Sequence, residues 1–433
     1  MDGMETELAT VYVKPGEADR LVAGHPWLYD NSVLKVTADV PDGALVQVRD
    51  HRRRFLGVGF YHSGSKIRVR LIAPERVTVD SAFFEERIRA ALEVRRRHLP
   101  EATSYRVVHA EGDFLSGLIV DKYEDVLVLQ ITALGMEQRK PQIVEALQRV
   151  FAPRAILERS DGAARKFEGL PPAEGVLAGD WPPPPPRPGP ADSGDGQNDA
   201  VETGVVSDSP RALLPVRIND LIFEVDLWAG HKTGLYLDQQ LNYRQVAGWA
   251  RGARVLDAFC FWGGFGLHAA RAGASHVHMI DQSAAAVQTA LRNAERNGLA
   301  DRCTGEAANV FDWLKARTRT GPGERLVPQF DLIILDPPSF TRTRASVPDA
   351  LRGYKEIHVR ALKLLRPGGV LATFCCSHHV DARTFLDVIL SAAFDTRRIL
   401  RRIAVFTQGP DHPVIPMIPE SEYLKGYAFE LVR

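Results

Sequence analysis

The sequence has little cysteine, no surplus of either charge and no long apolar run, and each shortage removes a class of protein. Its 433 residues hold four cysteines, too few for a disulfide framework in a chain this long. Two of them, Cys375 and Cys376, are neighbours and poorly placed to pair with each other. Lys plus Arg and Asp plus Glu both number 54. A net charge of zero argues against a whole-molecule electrostatic grip on nucleic acid and leaves room for a local basic face. No apolar run approaches the roughly 18 residues of a membrane span, and the opening MDGMETELAT lacks the basic and apolar regions of a signal peptide. A soluble cytoplasmic protein with no membrane partner is the expectation. The hydrophobic share of 45% and charged share of 25% are those of an ordinary globular chain, long enough here for two or three domains.

Four regions follow from the patterning. Residues 9–80 read as a β-rich domain: ATVYVK, GALVQVRD, FLGVGFY and KIRVRLI alternate or run β-branched between Pro-Gly and Pro-Asp-Gly punctuation. Its basic residues gather at His51–Arg54 and at Lys66, Arg68 and Arg70, the latter alternating with Ile67, Val69 and Leu71 so that the cations share one strand face. Residues 81–180 read as an α+β unit. Its first helix, Phe83 to His98, sets Phe84, Ile88, Ala91 and Leu92 on one stripe and carries five arginines, three of them consecutive at 95–97. Strands over 105–132 and a helix near 136–150 complete it. Residues 181–213 hold eight prolines, four glycines and a single aromatic, Trp181. Such a segment cannot repay its ordering entropy by burial and is expected to be a disordered or polyproline insert.

Residues 214–433 carry the clearest period. A β-hairpin is expected over 216–237, then a helix from about Asp238. Strands ARVLDAF, HVHMID, FDLIILD and GVLATFC alternate with helical stretches, the mark of an open, mainly parallel, doubly wound sheet. RRILRRIAVF and YLKGYAFELV suit closing antiparallel strands.

The chemistry sits where these strands end. After Asp257 the chain turns through Ala258-Phe259-Cys260-Phe261-Trp262-Gly263-Gly264-Phe265-Gly266, and the glycines there would let backbone approach a ligand. Asp281 ends the second strand, in the position that takes ribose hydroxyls. The spacing is not GxGxxG, and no GxxxxGK[ST] occurs. An acid at the end of the first strand suits a ligand without a pyrophosphate, such as S-adenosylmethionine, whose ammonium can use the carboxylate. The third strand ends in Asp336-Pro337-Pro338-Ser339-Phe340. The two prolines stiffen the exit and leave Asp336 facing the crevice, in a turn like those that hold a flat base beside a methyl donor. The fourth strand ends in Cys375-Cys376-Ser377-His378-His379. A thiolate adding to C6 of cytosine would make C5 nucleophilic towards a methyl sulfonium. Adjacent residues of a strand face opposite ways; Cys376 is the favoured nucleophile, with Cys375 packed behind it. Cys260 and Cys303 are expected to pack rather than react. Zinc is disfavoured, since four donors within five residues cannot wrap a tetrahedral ion and no separated CxxC exists; no metal is expected.

These residues carry a family resemblance. The chain resembles bacterial 23S rRNA cytosine-C5 methyltransferases with an N-terminal PUA domain, a central α+β domain and a Rossmann-like class I methyltransferase domain. Its landmarks are His25-Pro26-Trp27, Gly112-Asp113, Gly117–Asp121, His231-Lys232-Thr233-Gly234, Leu237-Asp238-Gln239, Gly263-Gly264-Phe265, Asp336-Pro337-Pro338, Arg352-Gly353-Tyr354-Lys355, Cys376-Ser377, Asp411-His412-Pro413 and Leu424-Lys425-Gly426. The resemblance implies S-adenosylmethionine as cofactor and 23S rRNA, or a large-subunit assembly intermediate, as partner. It implies Cys376 as nucleophile, Asp281 as the ribose acid and Asn309 beside the adenine. It also places Gln239 and Arg244 in the segment leading into the donor site, and puts Lys355 within reach of nucleic acid. Ser339 stands where many RNA cytosine-C5 enzymes have a second cysteine, Gln240 where the family usually has Arg, and His378-His379 where Gly and an apolar residue are common. A methyltransferase for another base, such as guanine N2, needs no thiolate; a non-catalytic RNA-binding assembly protein needs no donor site. Oligomeric state is left open, a homodimer included. The basic helix over 83–98 and the first domain are expected to hold RNA phosphates.

Overall fold

A computed structural model describes residues 8–185, 212–228, 234–321, 325–341 and 343–433. Residues 186–211 of the expected insert over 181–213, and the landmark residues 231–233, lie outside these.

The first sheet has six strands in the order Trp27–Tyr29, Ile67–Ala73, Phe55–Tyr61, Leu45–Arg49, Thr10–Val13, Val33–Val36. Val11, Val13, Val46, Val48, Val69 and Leu71 point inward and are buried. The second sheet has five: Ala173–Gly179, Ala155–Ser160, Val126–Ile131, Leu118–Tyr123, Tyr105–His109. Its helix Ser81–His98 begins where the Asp80 carboxylate accepts from Phe83 N at 2.9 Å, satisfying one of the free donors of a helix start. Phe84, Ile88 and Leu92 bury its apolar stripe. They share one core with Val58, Phe60 and Ile72 of the first sheet, so the first two sheets are packed as one body.

The arginines of that helix divide sharply between burial and exposure. The Arg95 side chain is fully buried against Asp113, and its Nη2 also donates to the Asp411 carbonyl at 2.8 Å. Arg96 is exposed and, among the described residues, pairs with Glu93. Arg70, expected on a solvated face, instead pairs with the buried Glu168 at 2.9 Å. Lys355 pairs with Asp395 at 2.8 Å.

Residues Leu213–Ile218 and Leu221–Asp226 form a two-stranded hairpin turning at Asn219-Asp220. The expected hairpin over 216–237 is therefore corrected: both strands lie before Leu227, and Leu237–Gln239 is a short 3-10 turn. Trp181 also departs from expectation. It is 8% exposed, with the Arg154 guanidinium 4.8 Å from its ring centre, so the start of the Pro-rich stretch is anchored by burial.

The C-terminal sheet has seven strands: β1 Arg254–Ala258, β2 His276–Asp281, β3 Cys303–Ala307, β4 Phe330–Leu335, β5 Leu365–Cys375, β6 Leu400–Phe406 and β7 Lys425–Leu431. Their order is β3-β2-β1-β4-β5-β7-β6. The first five are parallel, and β7 runs antiparallel to β5 and β6, as the final 40 residues led us to expect. Helices α1 Gly264–Arg271, α2 Ala284–Arg296, α3 Val310–Arg317, α4 Val347–Leu364 and α5 Ala382–Asp395 cover it, with separate cores on its two faces. The order reverses between β1 and β4, and ligands of such sheets bind in the crevice at the carboxyl end of that switch point. Among the described residues no helix is long and apolar enough to cross a membrane.

Candidate functional site

Register sets the edge. Ala258 of β1 pairs with Ile280 of β2 and with Leu335 of β4, and Leu335 pairs with Thr373 of β5. Phe259, Asp281, Asp336 and the two cysteines therefore leave the sheet side by side at its carboxyl edge.

The loop after β1 is held in an unusual backbone. Phe259, Phe261 and Gly263 all have positive φ, at 66°, 48° and 86°. Asp281 fixes it: Oδ2 accepts from Phe261 N at 3.0 Å and Oδ1 from Ser283 N at 2.9 Å. Each carboxylate oxygen keeps a further lone pair. Asp257 lies under the loop, 1% exposed, and Oδ2 accepts from Gly266 N at 2.7 Å. Its Oδ1 is buried with no hydrogen-bond partner among the described residues. Burial, and then the nearby Asp281, push its pKa up to about 7.

The glycines also make room for protein. A Cβ on Gly264 would lie 2.6 Å from the Tyr243 ring, and one on Gly266 would lie 2.9 Å from the Asp257 carboxylate. Gly263 would crowd Ala290, Leu267 and Met279. Their smallness lets helix, strand and Tyr243 close up.

Phe259 stands half-buried in an aromatic wall with Phe311 and Phe340, ring centres 6.4 and 6.3 Å away. Asn309 follows β3 and caps α3, its Oδ1 accepting from Phe311 N at 2.9 Å and Asp312 N at 3.3 Å. That leaves the Nδ2 end of an exposed side chain towards solvent. Gln239 is buried and points at Asp336, its Nε2 lying 3.3 Å from both carboxylate oxygens. Its Oε1 accepts from Asn242 at 2.7 Å. Both ends of the Gln239 amide are thus engaged by protein, and it orients Asp336. Arg244 is exposed on the helix Gln240–Ala247 and does not enter the crevice.

The cysteines separate as strand alternation requires. Cys375 is fully buried in the core behind β5, with Sγ 3.4 Å from the Tyr354 hydroxyl. Cys376 is half-buried on the other face, beside the core that holds the first loop. Cys260 and Cys303 are buried. Cys303 also starts β3, at the opposite edge of the sheet, and burial pushes its thiol up to about 12; neither position suits a nucleophile. Ser339 Oγ donates to the Thr341 carbonyl at 2.7 Å. His378 and His379 are exposed past the strand. Among the described residues no cluster of His, Cys, Asp and Glu could hold a metal ion.

Tyr236 is the residue that sequence patterning missed. It feels the charges of Asp336, Cys376, Asp238 and Asp281, and burial followed by those charges pushes its phenol well up. It therefore lies near both the cysteine and the first loop, with its ring centre 5.3 Å from that of Phe261. Its signal was weak, since it lies in an irregular stretch before a 3-10 turn.

Two family models match the chain: a PUA-like domain over residues 11–74 and an S-adenosylmethionine-dependent methyltransferase over 198–394. Ribosomal RNA large subunit methyltransferase I of Shewanella denitrificans is 37% identical over 423 residues, 96% of this chain and 98% of that protein. The protein of the same name from Photobacterium profundum is 34% identical, over 97% and 98%. A chain assigned as a SAM-dependent methyltransferase from Streptococcus mutans superposes with a TM-score of 0.75 at 20% identity, covering 97% of this chain and 99% of that one. A methyltransferase-like chain complexed with SAH gives 0.76 at 20% identity and the same coverage. These two likenesses concern the fold.

Proposed function

This chain belongs to the ribosomal RNA large subunit methyltransferase I family, and from that premise we propose that it methylates C5 of a cytosine in 23S rRNA through a covalent adduct with Cys376. The observation that carries the reaction type is the split at the β5 tip. Cys375 is sealed in the core, while Cys376 opens beside Asp336 and Tyr236.

S-adenosylmethionine, when bound, supplies an electrophilic methyl group and leaves as S-adenosylhomocysteine. The residues present fit it. Asp281 has a free lone pair on each oxygen for ribose hydroxyls, and Asn309 and Phe259 flank the place for the adenine. The unpartnered Oδ1 of Asp257 lies under the loop, and an ammonium is the group that would satisfy it. Gly263 and Gly264 shape that loop.

Asp336, oriented by Gln239, accepts from the 4-amino group of the cytosine, the usual carboxylate contact for that base. The Cys376 thiolate adds to C6, and the C5=C6 electron pair moves to C5 and takes the methyl group. The C5 proton then leaves to a base, the double bond re-forms and the thiolate is expelled. Ser339, turned onto its own loop, supplies no second thiol. The target must be unpaired or splayed out, because a stacked base cannot reach the crevice.

The test is nucleoside-level mass mapping of 23S rRNA from cells with and without the gene. Loss of one 5-methylcytosine is expected, restored by the wild-type chain and not by Cys376→Ala. A lost methylguanosine, or full rescue by Cys376→Ala, would overturn the covalent route in favour of another target base. RNA binding without any lost methyl group would point to an assembly protein.

A further inference from the structure

Beside the tip of β5 lies a buried cation with no role in the account above. Lys425 opens β7 and pairs across the ladder with Cys375, and it is only 8% exposed. A buried ammonium is costly unless something nearby needs its charge. Among the described residues no carboxylate closes an ion pair with it. Its Nζ reaches forward instead and donates to the carbonyl of Ser377, the residue directly after Cys376. Glu422 and Asp381 act on it only through the field, and the Asp381 carboxylate already caps α5 at Thr384 N.

The groups around Cys376 that carry or can carry charge come from four sides. Tyr236 lies before the helix Gln240–Ala247, Asp336 follows β4 and opposes the thiolate, Tyr354 is on α4, and Lys425 is on β7; His378 and His379 follow in the chain. Lys425 is the only one of these with a standing positive charge at neutral pH. Burial lowers its own pKa, while the sulfurs of Cys375 and Cys376 pull it back up. Cation and thiol are therefore matched in one pocket.

We propose that Lys425 is a positioning residue for methyl transfer, its ammonium holding the Ser377 carbonyl so that the turn aims Cys376, and its charge stabilising the Cys376 thiolate. This rests on Cys376 being the nucleophile. The thiol proton leaves to solvent before attack, and Lys425 keeps its three protons throughout. The same charge favours the sulfur again when the C6–S bond breaks and the thiolate is expelled.

The experiment is the pH profile of iodoacetamide alkylation at Cys376 in the full chain, followed by peptide mass spectrometry. The peptide assignment separates Cys376 from the buried Cys260, Cys303 and Cys375. The wild-type midpoint should fall below the ordinary cysteine value of about 8.5. Lys425→Met should raise it by about one pH unit, slow alkylation at neutral pH roughly tenfold and leave the alkaline plateau unchanged. Lys425→Arg should restore most of the rate. A Lys425→Met chain that folds and binds S-adenosylmethionine, yet keeps the wild-type midpoint, would overturn the proposal. If that variant does not fold, the wild-type midpoint decides, and a value at or above the ordinary one overturns it. Methyl transfer by Cys376→Ala would instead remove the nucleophile and leave the thiol titration standing.

Discussion

The joint beneath the crevice and the crevice itself use the same residue types to opposite ends. At the joint, Arg95 grips Asp113 with two nitrogens and the Asp411 carbonyl with one of them. Arg106 binds Asp121 bidentately at 2.7 and 2.8 Å while its backbone N–H donates to Asp411 at 3.1 Å. These charges are sealed, and they tie the central sheet to the loop between β6 and β7. In the crevice, Gln239 meets Asp336 at a slack 3.3 Å, Asp257 keeps an unpartnered oxygen, and Cys376 stays half-buried. The joint groups are matched to one another and make a frame, apart from Asp411 Oδ1, which has no hydrogen-bond partner among the described residues and lies 3.1 Å from His412 Nδ1. The unpartnered Asp257 oxygen at the strand edge has capacity for a ligand.

The largest effect that tests this contrast is at the joint. Asp113→Ala would leave Arg95 buried and unpaired and should cost about 3–5 kcal/mol, read as a fall in urea midpoint. A cost below about 1 kcal/mol would dissolve the distinction. On the crevice side, Asp336→Asn should slow methyl transfer roughly tenfold to a hundredfold while donor affinity and unfolding stay near wild type. A loss of stability equal to that of the joint variant would break the comparison from the other end.

Acidity should give a smaller effect. His268 and His358 are buried, and burial lowers both to about 4. Both fold as the neutral form, so their contribution is present above pH 6.5 and is lost as pH falls towards 4. Asp257, raised to about 7, runs the other way: folding favours its protonated form, and stability grows as pH drops from 7 towards 3.8. His25 and His278, also lowered by burial, act in the same direction as the other two histidines, so a net loss of at least about 1 kcal/mol is expected between pH 7 and 5, measurable by urea unfolding. Asp257→Asn should enlarge that loss by removing the counterweight; a gain on acidification would contradict the assignment. The smallest effect is expected from Arg96→Ala with Arg97→Ala, within about 0.5 kcal/mol of wild-type stability. RNA affinity and its salt slope should fall in that variant, and an unchanged slope would remove the helix from RNA binding.

Legibility in the sequence followed the same division. The alternating strands and helices of the C-terminal half, and the order of acids and cysteines at their ends, were readable because period and punctuation are local. β3 was not: CTGEA has neither β-branched nor aromatic residues beyond one threonine, and only Cys303 is buried. Ala155–Ser160 was missed because a fully buried strand there contains Glu158 and Arg159. Those charges are tolerated because Lys140 reaches Glu158 and Arg159 reaches the Leu227 carbonyl, partners that no local window contains. Arg95 failed for that reason too. Three consecutive arginines look like one basic face, and only the distant Asp113 and Asp411 decide which of them turns inward. Tyr236 gave only a weak signal, and Lys425 stood out only as part of the Leu424-Lys425-Gly426 landmark, since their meaning comes from strands that meet only in the fold.

The covalent step is the central claim, and a trapped complex tests it most directly. Short RNA from the mapped 23S site, carrying 5-fluorocytosine at the target, would be incubated with the full chain and S-adenosylmethionine. Fluorine cannot leave C5 as a proton does, so the adduct should persist through denaturation, with mass spectrometry placing the RNA on Cys376. Methyl transfer to the ordinary RNA with no stable complex on the fluorinated one, or a complex on any other residue, would contradict the account.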